Sequence, residues 1–158
     1  MTSTKAAAET FLAARRIAVT GVSRTPGSHG SNVVYQRLRE HGYEVFAVNP
    51  NAEQVEGDDA YPDLGSIPGG VEAVVIGTRP DRAQATVEEA SGLGITQVWM
   101  HRSVDAGSVD KAAVAWGREH GMTVIDGGCP LMFGKVSDPG HRFMCRFMTL
   151  TGRVPRSV

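Results

Sequence analysis

Arg16-Ile17-Ala18-Val19-Thr20-Gly21-Val22-Ser23, continued by Arg24-Thr25-Pro26-Gly27-Ser28-His29-Gly30, is the stretch on which the fold turns. Its first half is apolar on consecutive positions, as a strand must be when helices cover both faces of a parallel sheet. Its second half is rich in glycine and leads into an apolar helical stripe at Val33, Val34 and Leu38, which Gly42 ends. A buried strand that opens through glycines into a helix start lets backbone N–H groups approach an anion, and the helix dipole favours the negative charge. The competing reading is a glycine-rich turn that holds nothing.

Four more runs rich in valine and isoleucine follow at Glu44 to Val48, Ala73 to Gly77, Gln97 to His101 and Met122 to Asp126. They alternate with stretches of helical period. Pro80 sits at a first helical position ahead of Ala83, Val87 and Ala90, and Ser108 is expected to cap a helix bearing Ala112, Ala113 and Trp116. A last helix is expected from Pro139 to Gly152, burying Phe143, Met144, Phe147 and Met148. The pattern predicts an α/β fold: a doubly wound, mainly parallel five-stranded sheet with helices on both faces. Between the second and third of these strands the connection Asn49 to Val71 is expected to hold a turn or edge strand around Gln54 to Tyr61. The N-terminal helix and the tail after Gly152 are expected to be peripheral.

With 158 residues and 41% hydrophobic content, one domain over 1–158 is the expectation. A formal net charge of −1 supplies no general attraction for nucleic acid or an anionic membrane, so a small-molecule ligand is expected. No run of about 18 apolar residues marks a membrane span. The segment from Lys5 to Arg16 lacks a signal-peptide pattern, and two cysteines are too few to staple the chain; a cytoplasmic location is expected.

The glycine turn departs from the dinucleotide fingerprint. Gly21, Gly27 and Gly30 are spaced too widely, and the second strand ends Ala47-Val48-Asn49-Pro50-Asn51 where an acidic residue should hold a ribose. NAD is therefore disfavoured.

Gly21-Val22-Ser23 with Pro26, the segment His41-Gly42-Tyr43-Glu44-Val45-Phe46-Ala47-Val48-Asn49-Pro50, and then Gly57, Ala60-Tyr61-Pro62, Leu64 and Ile67-Pro68 resemble the small bacterial CoA-binding domain proteins. The same Rossmann-like fold forms the N-terminal CoA-binding domain of the succinyl-CoA synthetase alpha subunit. The resemblance runs from about Arg15 to Cys129, which implies a core over about 15–129 and a helical extension over 130–158. It implies coenzyme A, or an acyl-CoA, across the carboxyl ends of the strands. The implied contacts are Gly21, Val22 and Ser23, then Asn49, Pro50 and Asn51, then Thr78, Arg79 and Pro80, and finally His101 and Arg102. Relatives often carry an Arg-Pro-Ser run where Ser28-His29-Gly30 stands, so the resemblance implies a cationic contact in the first loop that is either absent here or supplied by Arg24.

Arg24, Arg79, Arg82 and Arg102 can each be a phosphate ligand or a solvated surface residue. Cys129 follows the fifth strand and could act as a nucleophile, but no neighbouring base is legible, and a buried structural thiol is the simpler reading. Cys129, His141 and Cys145 form a conceivable metal set without a Cys-x-x-Cys or an evident fourth ligand, so no metal is expected. His101 has no legible carboxylate partner, and His120 beside Gly121 suits a helix end. No catalytic constellation stands out.

The expected role is accordingly non-catalytic binding of CoA or acyl-CoA, as carrier, sensor or regulatory module. The alternatives are an oxidoreductase or thiol-dependent enzyme using a nucleotide cofactor, or an interaction subunit of a larger CoA-ligase-type complex; a homo-oligomer or a protein partner is left open, and a lone homodimer would weaken the interaction-subunit reading. Valine at Gly21 is expected to fill phosphate space, removing binding while leaving the fold.

Overall fold

The computed structural model describes residues 1–27, 29–102 and 107–158; Ser28 of the first loop lies outside them. The five expected strands are present, each within about a residue of its expected bounds. They are β1 (Arg16–Thr20), β2 (Glu44–Val48), β5 (Ala73–Ile76), β6 (Gln97–Met100) and β7 (Thr123–Asp126). Two short strands, β3 (Gln54–Val55) and β4 (Asp58–Tyr61), fill the connection where an edge strand was expected. Among the described residues the sheet runs β3-β4-β2-β1-β5-β6-β7, parallel except for the β3–β4 pair.

Alternation along each strand assigns side chains to two cores. Ile17 and Val19 of β1 face α1 (Thr4–Leu12) and α2 (Gly30–Glu40), where they meet Phe11, Tyr35 and Leu38. Ala18 between them faces the opposite side, where Ala83, Val87 and Ala90 of α3 (Pro80–Gly92) pack with Ala113 and Val114 of α4 (Lys111–Glu119). Covered on both faces, the sheet is doubly wound.

The N-terminal helix is not peripheral. Ala7, Ala8 and Phe11 are buried, and the Phe11 ring meets Trp99 edge to face at 5.4 Å between centroids. Burial of one such phenylalanine contributes about 1.5–3 kcal/mol. Trp99 in turn donates its indole N–H to the Gly127 carbonyl at 2.9 Å. The tail also joins the core through buried Val154, and residues at the two ends pair: Ser3 bridges Ser157, while Thr2 and Val158 exchange backbone hydrogen bonds.

Three local expectations are corrected. The inward stripe of α2 is Val34, Tyr35 and Leu38, with Val33 turned to solvent. α4 is capped by Asp110, whose carboxylate accepts the Ala112 and Ala113 N–H groups, while Ser108 is buried before it. On α5 (Pro139–Leu150) only Met148 is fully buried, with Met144 half-buried one turn earlier. Phe143 and Phe147 each lie one residue off that line, about 100° round the helix, and are 75% and 57% exposed.

The β3–β4 hairpin closes through Glu56 (φ 51°) and Gly57 (φ 82°), both left-handed, as the tightest hairpin turns require. β4 then pairs with β2 through Ala60 and Tyr61, extending the sheet beside the end of β2.

Candidate functional site

β1 has β2 on one side and β5 on the other, and its following helix α2 covers one face while α3 after β5 covers the other. The connections leaving β1 and β5 therefore diverge, opening a crevice beyond the carboxyl ends of the strands. Two glycines let these ends approach. A Cβ on Gly21, whose φ is +75°, would lie 2.5 Å from the Gly77 carbonyl oxygen, and one on Gly77 would collide with Ser31 and the Thr20 carbonyl. This replaces the sequence-based account of Gly21: a side chain there meets backbone first, so valine would damage the fold as well as the crevice.

The crevice is a cleft of about 800 Å³. It brings together Gly21, Val22 and Ser23 from the first loop, Asn49, Pro50 and Asn51 beyond β2, and Thr78 and Arg79 beyond β5. Arg24, Pro80, His101 and Arg102 do not line it. Arg24 is exposed, and Pro80 opens α3 behind Arg79. His101 is buried against the start of α2, where a Cβ on Gly30 would lie 3.0 Å from its ring. The Arg102 N–H donates to the Gly128 carbonyl at 2.9 Å, tying the end of β6 to that of β7.

The cleft also draws on residues beyond the implied contacts, of which Thr86 and Glu89 were not singled out from sequence. Pro62 and Leu64 close one side below the hairpin, and Arg82, Thr86 and Glu89 continue down one face of α3 from Arg79. Their three- and four-residue spacing is a legible signal once Pro80 marks the helix start. His29 sits at the N-cap of α2 without a side-chain capping bond, and its carbonyl accepts the Asn32 and Val33 N–H groups at 3.0 and 3.3 Å. Arg79 pairs with Asp81 at 3.0 Å, but its side chain is 78% exposed and that pair holds it only weakly.

Three side chains shape the first loop. Asn32, fully buried, accepts the Ser23 N–H on Oδ1 and donates from Nδ2 to the Ser23 carbonyl and to Glu56. Asn49 donates to the Val22 carbonyl at 2.9 Å and accepts the Asn51 N–H at 2.8 Å. The Glu56 carboxylate, reaching back from the hairpin turn, accepts the Gly27 N–H at 2.9 Å. Hydrogen bonds from Asn32 and then Gly27 hold the Glu56 carboxyl below its ordinary range. Neither Asn32 nor Glu56 carries a local pattern by which sequence could have placed it here.

The remaining reactive residues lie elsewhere. Burial pushes the Cys129 thiol up to about 12, the opposite of what a nucleophile requires. His141 is engaged by Asp138, whose carboxylate lies 2.7 Å from Nδ1, and Cys145 is half-buried on α5. Among the described residues no three potential ligands converge as a metal site. His120 stacks on Trp116 and its Nδ1 lies 2.7 Å from the Trp116 carbonyl, closing α4.

Similarity to known proteins bears on this cleft. The chain is 30% identical over 111 residues to the uncharacterized protein YneT of Bacillus subtilis strain 168, covering 70% of this chain and 78% of that one. It is 29% identical over 126 residues to the alpha subunit of acetate–CoA ligase [ADP-forming] II of Pyrococcus furiosus, covering 75% of this chain but 27% of the subunit. This chain thus matches about a quarter of that subunit's length. A solved structure of a hypothetical protein from Pyrococcus horikoshii OT3 superposes with a TM-score of 0.73 at 29% identity, covering 81% of this chain and 87% of that one. Residues 15–135, which carry every strand and the whole cleft, match the family described as CoA binding domain, and the chain belongs to that family.

Proposed function

We propose that the chain binds coenzyme A, or an acyl-CoA, in the cleft between the ends of β1, β2 and β5, and that it acts as a carrier, sensor or regulatory module without chemistry of its own. One observation carries the reading. Within the family-matched segment, the Gly21–Ser23 turn, the Asn49–Asn51 corner and the Thr78–Arg79 turn converge on a single cleft at the switch point. Backbone amides and the α2 N-terminus supply donors for a diphosphate, and Arg79 and Arg82 supply charge for further phosphate oxygens. Coenzyme A carries a 3′-phosphate that NAD lacks, and no acidic residue closes β2 to hold the ribose of NAD.

Isothermal titration with CoA, dephospho-CoA and NAD tests the reading. CoA is expected to bind most tightly, dephospho-CoA more weakly and NAD hardly at all. No heat with CoA, or equal affinity for NAD, would reject it.

A second reading, an interaction subunit beside a separate catalytic chain, is favoured by the relative named as a ligase alpha subunit and by the exposed Phe143, Phe147 and Leu150 on α5. A stoichiometric second chain with ADP-forming acetate–CoA ligase activity, recovered with this one, would support it. For location we infer the cytoplasm from the two free thiols, Cys129 and Cys145. Among the described residues no helix is long and apolar enough to cross a membrane.

A further inference from the structure

Glu56 is the one non-glycine residue with positive φ among the described residues. Asparagine, aspartate or glycine occupies such a turn at less cost, and an outlier of this kind directs attention to what its side chain does. Here the carboxylate gathers three donors from two separate parts of the chain. Oε1 accepts the Gly27 N–H at 2.9 Å and the Asn32 Nδ2 at 2.6 Å, and Oε2 accepts the Gln36 Nε2 at 2.6 Å. Asn32 and Gln36 stand one turn apart on α2, while Gly27 belongs to the loop that leaves β1.

The hairpin itself does not need this carboxylate to stay on α2. Arg39 donates to the Glu56 carbonyl at 3.0 Å and pairs with Asp58 at 2.5 Å, and the Tyr35 hydroxyl donates to Asp58 at 2.7 Å. Those contacts fasten the turn to the helix. The side chain of Glu56 adds something different, a strut from the sheet edge to the far end of the ligand loop, and it shares Asn32 with Ser23 at the near end.

We propose that Glu56 is a positioning residue for ligand binding: it holds the Val22–Gly27 loop in its ligand-ready shape and, by occupying the Gly27 amide with its own carboxylate, confines a bound phosphate to the Gly21–Ser23 side of the loop. The proposal rests on the CoA-binding reading above. A second anion at Gly27 would meet the carboxylate's like charge, whereas the Gly21–Ser23 turn opens directly into the cleft. The loop's order is thereby settled before ligand arrives, which removes an ordering cost from binding.

Three variants test it by titration with CoA, by melting and by hydrogen exchange of the free protein. Glu56→Ala is expected to speed exchange at the Ser23 and Gly27 amides and to weaken CoA binding about ten-fold, the loss that follows if the competent loop falls to about a tenth of the population. Glu56→Gln keeps an acceptor oxygen for Gly27 and Asn32, with the Gln36 amide turned to accept the new NH2, and is expected to restore both exchange and affinity to near wild type. Arg39→Ala loosens the hairpin without touching the loop and is expected to lower the melting temperature while leaving affinity unchanged. Wild-type affinity in Glu56→Ala, or equal losses in Glu56→Ala and Arg39→Ala, would overturn the proposal. Failure of the wild-type protein to bind CoA would instead overturn the reading on which it rests.

Discussion

The two walls of the cleft are built on different principles. On the β1–β2 wall the polar groups are already spent: the Ser23 N–H and carbonyl on Asn32, the Val22 carbonyl on Asn49, the Gly27 N–H on Glu56. On the β5–α3 wall they are not. Thr78 Oγ1 is buried without a hydrogen-bond partner among the described residues, and Arg79 and Arg82 are exposed. One wall is fixed in shape by folding; the other presents exposed charge that a bound ligand would have to order. The first kind of wall gives its contribution through geometry, the second through electrostatics that salt can screen.

The largest break in this comparison is expected from Gly21→Val. The new side chain would strike the Gly77 backbone from a left-handed position, and strain and overpacking together should cost about 3 kcal/mol or more. Chemical denaturation is expected to show that loss, or the protein to be insoluble; a variant with wild-type stability and no CoA binding would instead favour the phosphate-space account. Arg79→Ala should separate the walls more finely. It is expected to weaken CoA binding several-fold, about three- to ten-fold at low salt, with the effect fading in high salt and the melting temperature unchanged. An affinity loss indifferent to salt would show that Arg79 acts through geometry after all.

The smallest effect should come from pH. The carboxyl of Glu56 is depressed by Asn32 and Gly27, and that of Asp58 by Tyr35 and Arg39. A carboxylate depressed in the folded state contributes stability that is present above its unfolded value and lost as pH falls through the folded one. Stability is therefore expected to hold from neutrality down to about pH 4.5 and to fall below it, with a shallower fall in Glu56→Gln. An identical acid profile in that variant would remove Glu56 from the set of groups that tie the first wall to the hairpin.

How much of this was legible in the sequence follows from where each signal resides. Strands such as Ile17-Ala18-Val19 and Val74-Val75-Ile76 announce themselves because burial on both faces leaves no polar position. The turns that follow them were equally readable, since glycine and proline mark them locally. The β3–β4 hairpin was only half legible, because a two-residue strand is too short to show alternation. Asn32 and Glu56 were invisible for a different reason: each is an ordinary polar residue until tertiary structure brings them together from 24 positions apart. On α5 the adjacent pairs Phe143-Met144 and Phe147-Met148 fit two faces equally well, and the methionines took the core.

The pairing of Ser3 with Ser157, and of Thr2 with Val158, makes the backbone almost a closed ring. A short peptide link across that junction would let the chain be cut open at an exposed turn such as Gly69–Gly70, away from the cleft. Such a circular permutant would present its new ends beside the amino-terminal end of β1, since Arg16 reaches the Pro68 and Gly70 carbonyls. Anything fused there would ride on the opposite pole from the cleft.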